Sequence, residues 1–249
     1  MENALYRYRI TLEYLGAGYC GWQRQKDGLS LQQIIEDAIY AFSKERVVLS
    51  VAGRTDAGVN AYGQVAHFDL SKNLEPKRLM HSINHFCFAH TIGVVGAELV
   101  DSEFNARFSA KSRHYVYKIL NRRPVNIVSK GLVYWVKDSL DIEAMQRASK
   151  YLLGRHDFSS FRASECQAKS PMKTVDKIEI IKHEELIEIH VSALSFLHHM
   201  VRNIVGSLLM VGKGNWSEEK IKEILEAKDR RAAGPTAPAE GLYFLRVDY

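Results

Sequence analysis

The stretch Val51-Ala52-Gly53-Arg54-Thr55-Asp56-Ala57-Gly58-Val59-Asn60-Ala61 carries the residues best placed for chemistry. One cation, Arg54, and one carboxylate, Asp56, stand between two glycines, Gly53 and Gly58. Glycine lets a backbone turn sharply or approach a ligand closely. A carboxylate on such a turn can act as a nucleophile or a general base, and a cation beside it can meet an anionic substrate. The loop exceeds the two residues that a plain hairpin favours. It lacks the Gly-Lys-Ser/Thr ending of a phosphate-binding P-loop.

The flanking segments must position this loop. Arg46–Ala52 holds a near-continuous apolar run and predicts a buried strand; Tyr62–Leu70 alternates and predicts a second. Upstream, Tyr6, Tyr8, Ile10, Leu12 and Tyr14 alternate with polar residues as a first strand. A glycine-marked loop follows, with Tyr19, Trp22, Arg24 and Gln25 as candidate nucleotide contacts or packing residues. Ser30 and Gln33 read as a capping box for a helix whose apolar stripe is Leu31, Ile34, Ile35, Ala38, Ile39 and Phe42. Pro76 opens another helix with Leu79, Met80, Ile83 and Phe86 inward, and Thr91–Val100 closes the half as a strand.

The second half repeats the order. Its strands are Arg113–Asn121, Val175–Lys182, Leu186–Ala193 and Leu242–Val247. Its helices are Asp141–Leu152, Leu197–Val211 and one from Ser217 to about Lys228. The chain therefore predicts an α+β protein of two β-α-β-β-α-β, ferredoxin-like or RRM-like halves with mainly antiparallel sheets, 1–108 and 109–249. The Arg54/Asp56 loop falls in the first half. The basic strand and the helix His198-His199-Met200-Val201-Arg202-Asn203 fall in the second, so a central cleft would combine them.

Net charge is +5, which permits a nucleic-acid partner. From Phe104 to Lys137 there is no Asp or Glu but eight basic residues, with Tyr115, Tyr117 and Tyr134 interleaved. That is the pattern of a phosphate-tracking stripe. Cys20, Cys87 and Cys166 form no C-x-x-C pair, so neither a zinc knuckle nor a disulfide framework is expected. His81 and His85 have metal-ligand spacing but lack the Glu of H-E-x-x-H, and no metal is expected. Met1–Arg9 is polar, and Val191–Val211 is interrupted by His198, His199, Arg202 and Asn203. No secretory signal or membrane span is read, and the expected location is the cytoplasm.

The string Gly53-Arg54-Thr55-Asp56-Ala57-Gly58-Val59 resembles the catalytic loop of the TruA family of tRNA pseudouridine synthases. Further strings are similar to that family in order along the chain: Arg113-His114-Tyr115-Val116-Tyr117, Gly154–Arg162, His198–Gly206 and Ala239–Tyr243. One departure is Asn60, where the family often has His. The resemblance implies a pseudouridine-synthase fold with a central cleft, working without cofactor as a homodimer on uridines 38 to 40 of the tRNA anticodon stem-loop. It implies that Asp56 is catalytic, attacking ribose C1′ or abstracting the 2′ proton. It further implies that Arg202 is the cation keeping that carboxylate ionised, that Tyr115 stacks on uracil, and that Arg54 meets a phosphate or fills the gap left by the flipped base. Arg24, Lys111, Arg113 and Arg162 are the remaining candidate RNA contacts.

Two other readings compete. A non-catalytic RNA-recognition module shares the topology but would carry an aromatic-rich RNP1-like string, which is not found. A glycosidase needs two cooperating acids, and the nearest in sequence to Asp56, Glu45 and Asp69, lie outside the loop.

Overall fold

A computed structural model describes residues 5–166 and 168–249; the first four residues of the polar N-terminal stretch lie outside the described residues. The chain divides into two compact units, Met1–Lys111 with Phe244–Tyr249, and Ser112–Tyr243. The last six residues thus cluster with the first unit, although sequence order groups them with the second half.

The first unit runs β1 (Tyr6–Tyr14), α1 (Leu31–Ser43), β2 (Ser50–Val51), β3 (Asn60–Leu70), α2 (Pro76–Cys87) and β4 (Ile92–Val100). Strand β1 is central, antiparallel to β3 on one side and to β4 on the other. Its alternation places Tyr8, Ile10, Leu12 and Tyr14 in the core. Helix α1 starts where Ser30 accepts the Gln33 N–H (3.2 Å), and buries Leu31, Ile34, Ile35, Ala38 and Ile39. Each of the larger aliphatic side chains contributes about 1.5–3 kcal/mol by leaving water.

Two expectations need correction. Arg46–Ala52 is not a strand throughout: only Ser50–Val51 pairs, against Ala66 and His67, and Val48 is 80% exposed. The apolar run there serves an irregular connection, not a ladder. In α2, Phe86 faces solvent and Cys87 takes the inward position beside Leu79 and Ile83.

The second unit begins with β5 (Ser112–Asn121), β6 (Tyr134–Val136), α3 (Ile142–Ser149) and β7 (Gly154–Asp157). It continues with β8 (Met172–His183), β9 (Leu186–Ala193), α4 (Met200–Gly212) and α5 (Lys220–Ala227). Strands β5, β9, β8 and β7 pair antiparallel in that order, and short β6 lies parallel to β5. Strands β6 and β7 are additions to the expected pattern; at three and four residues they are too short to show a period. Helix α4 is buried almost all round, as a central helix should be. It begins at Met200 rather than Leu197, because His199 takes a left-handed conformation (φ 61°). The final strand, β10 (Leu242–Asp248), is the hydrogen-bonded neighbour of β3.

In the first unit, Arg7 stands opposite Asp69 across β1 and β3, with two bonds of 2.7 and 2.8 Å. It also donates to the carbonyls of Phe104 (3.0 Å) and Ser102. The Arg7 hydrogen bond holds the Asp69 carboxyl below its ordinary range. A depressed carboxyl stabilises above its unfolded value and loses that stabilisation as pH falls through the folded one. Asp69→Asn should therefore cost about 1 kcal/mol at pH 7, given partial exposure, and less at an acid pH where the folded carboxyl is protonated. Urea titrations at the two pH values check this; an equal loss at both would contradict it.

Candidate active site

In the first unit, Asp56 sits half-buried on the connection between β2 and β3, with Arg54 exposed beside it. The ends of this connection are fastened before the carboxylate is reached. The Ala52 N–H donates to the Val65 carbonyl (2.8 Å), and Gln64 Nε2 donates to the Gly53 carbonyl (2.7 Å). Gln64 Nε2 also reaches the Tyr14 hydroxyl (3.3 Å), which lies 2.8 Å from Thr55 Oγ1. Burial pushes the Tyr14 hydroxyl up to about 12, so it stays a protonated donor at any physiological pH.

The Thr55 carbonyl accepts from the Trp22 N–H (3.0 Å), and the Asp56 carbonyl from the Val59 N–H (3.2 Å). That second bond closes a turn with Gly58 in its third position at φ 78°, where a residue with a Cβ is strained. On the far side, Asn60 is buried and its Oδ1 accepts the Gly16 N–H (2.8 Å). The backbone on both sides of Asp56 is thus held by β1, β3 and the Gly16–Trp22 loop. The backbone that carries the carboxylate is therefore fixed by the fold itself.

Trp22 is 1% exposed, with its ring 6.2 Å from that of Tyr14. Its part is packing, not nucleotide contact. Arg24 pairs with Glu36 of α1 at 3.2 Å. Lys111 is exposed and its N–H donates to the Asp248 carbonyl (2.8 Å).

In the second unit, Tyr115 lies on β5 opposite Val191, with the Phe196 ring edge-on at 5.1 Å. It is almost buried, at 9% exposure. Two residues on, Tyr117 gives its hydroxyl to the Pro238 carbonyl (2.8 Å), and burial raises that hydroxyl well above the tyrosine range. Arg113 is buried, and its Nη1 donates to the Leu194 carbonyl. Lys118 faces Glu188 at 3.7 Å and Arg122 faces Glu185 at 3.1 Å, so the basic stripe is partly neutralised by β9 and the turn before it. Arg162 is half-buried after the turn Ser159–Phe161. Phe158 and Phe161 fill the core there, and Asp157 accepts the Ser159 N–H (2.9 Å).

Arg202 is on the first turn of α4. Its Nε donates to the Ala237 carbonyl (2.8 Å), and the Ala237 N–H donates back to the Arg202 carbonyl (3.1 Å). Ala237 belongs to a strap, residues 233–238, that a buried polar network ties to α4. Asn203 Oδ1 accepts from Thr236 Oγ1 (2.7 Å) and Arg230 Nη2 (3.1 Å), and Asn203 Nδ2 donates to the Phe161 carbonyl (2.8 Å). Ser207 Oγ accepts the Gly234 N–H (2.9 Å). The strap lies so close that a Cβ on Gly206 would stand 1.7 Å from the Pro235 oxygen. His198 and His199 do not diverge onto two helix faces as adjacent helical residues would. With His199 left-handed, their ring centroids lie 4.0 Å apart.

Sequence reading missed Tyr14, Gln64, Asn203 and Arg230 as supports. Two of them left a signal: Gln64 interrupts the apolar set Ala66, Phe68 and Leu70, and Asn203 stands inside an apolar helix. A buried amide needs partners, and both have them.

A family model described as tRNA pseudouridine synthase matches residues 148–249. The tRNA pseudouridine synthase A of Ehrlichia canis is 52% identical over 244 residues, covering 98% of this chain and 100% of that protein. The chain belongs to the tRNA pseudouridine synthase A family. The Ehrlichia chaffeensis member is 51% identical over the same length and coverage. The chain is thus an isomerase that forms pseudouridine in tRNA. Among solved structures, a Cbf5–Nop10–Gar1 complex aligns with a TM-score of 0.35 at 13% identity, over 91% of this chain and 60% of that one. No helix of the described residues is long and apolar enough to cross a membrane.

Removing the Asn60 acceptor should strand the buried Gly16 N–H. Asn60→Ala is expected to cost about 1–3 kcal/mol, read as a lowered denaturation midpoint. An unchanged midpoint would show that Asn60 does not fasten this loop.

Proposed function

We propose that the chain isomerises uridines 38 to 40 of the tRNA anticodon stem-loop, with Asp56 as the acting carboxylate. Asp56 attacks ribose C1′ or removes the 2′ proton; either route detaches uracil N1 from the sugar. The freed base turns and bonds to C1′ through C5, as the Asp56 ester breaks or the 2′ carbon takes back its proton; the C5 proton is then lost and N1 is protonated. The observation that carries this reading is the fastening of the Asp56 turn: Thr55 is held through side chain and carbonyl, and Asp56 through its own carbonyl.

Tyr115, Arg54 and Arg202 serve the substrate in this proposal. The Tyr115 ring is the platform for the flipped uracil, and its hydroxyl assists loss of the C5 proton. Arg54, exposed on the loop, meets a phosphate or fills the vacated stack. Arg202 is the cation offered to the acting carboxylate, and its Nε bond to the Ala237 carbonyl orients the guanidinium. Arg24, Lys111, Arg113 and Arg162 add weaker RNA contacts. The enzyme works as a homodimer, without cofactor, in the cytoplasm. Against a glycosidase, Asp69 is engaged by Arg7 and Glu45 by Ser71, so neither is offered as a second acid.

The substrate assignment is tested on unmodified tRNA transcripts carrying uridine in the anticodon arm and elsewhere. After incubation, pseudouridine mapped by carbodiimide-blocked primer extension should fall at positions 38 to 40. Pseudouridine confined to another arm would overturn the assignment.

A further inference from the structure

Helix α2 carries an open basic face that the proposed chemistry does not use. Lys77, His81 and His85 recur every four residues, and Arg78, Ser82 and Phe86 form the adjacent row. Together with Glu75 these residues line a hollow of about 450 Å³. A second hollow of about 270 Å³ shares Arg78 and Ser82 and adds Lys72. From residue 77 to residue 85 the face runs about 12 Å along the helix. That is room for several phosphates of one strand, which follow each other every ~3.4 Å of duplex axis.

The cations here are uncommitted, unlike the other arginines of β1 and its neighbouring loop. Arg7, Arg9 and Arg24 are paired with Asp69, Glu98 and Glu36. Among the described residues, the side chains of Lys77 and Arg78 make no hydrogen bond or ion pair. Glu75, the one acid in the lining, spends both carboxylate oxygens on capping the helix, at 3.0 Å to the Lys77 N–H and 2.7 Å to the Arg78 N–H. A metal is a poor match, because the neighbouring thiol of Cys87 is turned into the core at 1% exposure. Phe86 and, past the helix end, Phe88 are 45% and 92% exposed, offering ring faces at the edge of the cationic surface.

The face also begins away from the Asp56 loop. Strand β3 leaves the loop at Asn60 and ends at Leu70, about 30 Å further on, and α2 starts from that far end. We propose that the α2 face is an accessory docking surface for the phosphate backbone of tRNA outside the nucleotides undergoing reaction. It rests on the family's action on tRNA and supplies affinity without entering the chemistry.

The double variant Lys77→Gln/Arg78→Gln tests this, since both side chains are exposed and their loss leaves the core intact. Bulk tRNA binding is measured over a salt series, alongside release of tritium from C5-labelled uridine in tRNA. Expected are roughly tenfold weaker binding at low salt and a salt dependence shallower by about 1 to 2. KM should rise with kcat unchanged. Arg78→Gln alone should give about half the change in slope. Affinity and slope equal to wild type would overturn the proposal and leave the face to an acidic protein partner. A fall in kcat at unchanged affinity would overturn it too. Absence of tritium release by the wild type would count against the proposed activity alone, since the binding series is read independently.

Discussion

Fixing one carboxylate on a connection between two strands is the constraint on which the first unit depends. A loop of this length is ordinarily mobile, and a mobile carboxylate pays in entropy each time it must align. Here that entropy is removed during folding. Tyr14 of β1 and Gln64 of β3 meet Thr55 and Gly53, Trp22 brings its N–H to Thr55, and Asn60 receives Gly16. All but the loop residues sit on elements whose apolar faces are buried, so the core and the loop geometry stand or fall together. The buried Tyr14 hydroxyl, pushed up to about 12, stays protonated and does not titrate at physiological pH.

In the second unit a cation, Arg202, is tied down in a similar way. The Arg202 side chain bonds the Ala237 carbonyl, and the strap that carries Ala237 is tied to α4 through Asn203 and Ser207. Asn203 satisfies donors and acceptors from three directions, and in a buried setting leaving any of them unmade costs more than making it gains. Gly206 allows the strap to lie against the helix. The Gly154–Phe161 stretch is explained as support rather than chemistry: its phenylalanines fill the core and the Phe161 carbonyl takes the Asn203 amide.

Much of this was legible before any coordinates. Alternation in Tyr6–Tyr14 and the apolar stripe of Leu31–Ile39 are direct consequences of the two side-chain periods, and both elements form where those periods predict. The Asp56 loop stood out because glycines, a cation and a carboxylate rarely fall together between strands. What escaped was decided by tertiary contact. Val47 and Val48 read as a strand by composition, yet no neighbouring strand pairs them. His199 adopts a left-handed backbone that no local pattern announces. Tyr14, which meets Gln64, and the side-chain partners of Asn203 lie tens of residues away, beyond any local window.

The most direct measurement is tritium release from C5-labelled uridine in tRNA, comparing wild type with Asp56→Asn, with tRNA binding measured on both. The isostere keeps the loop's shape and removes the charge. The account predicts release by the wild type and none by the variant, with binding retained. Equal release by both would contradict it, since the carboxylate that the first unit holds in place would then not be the group that acts.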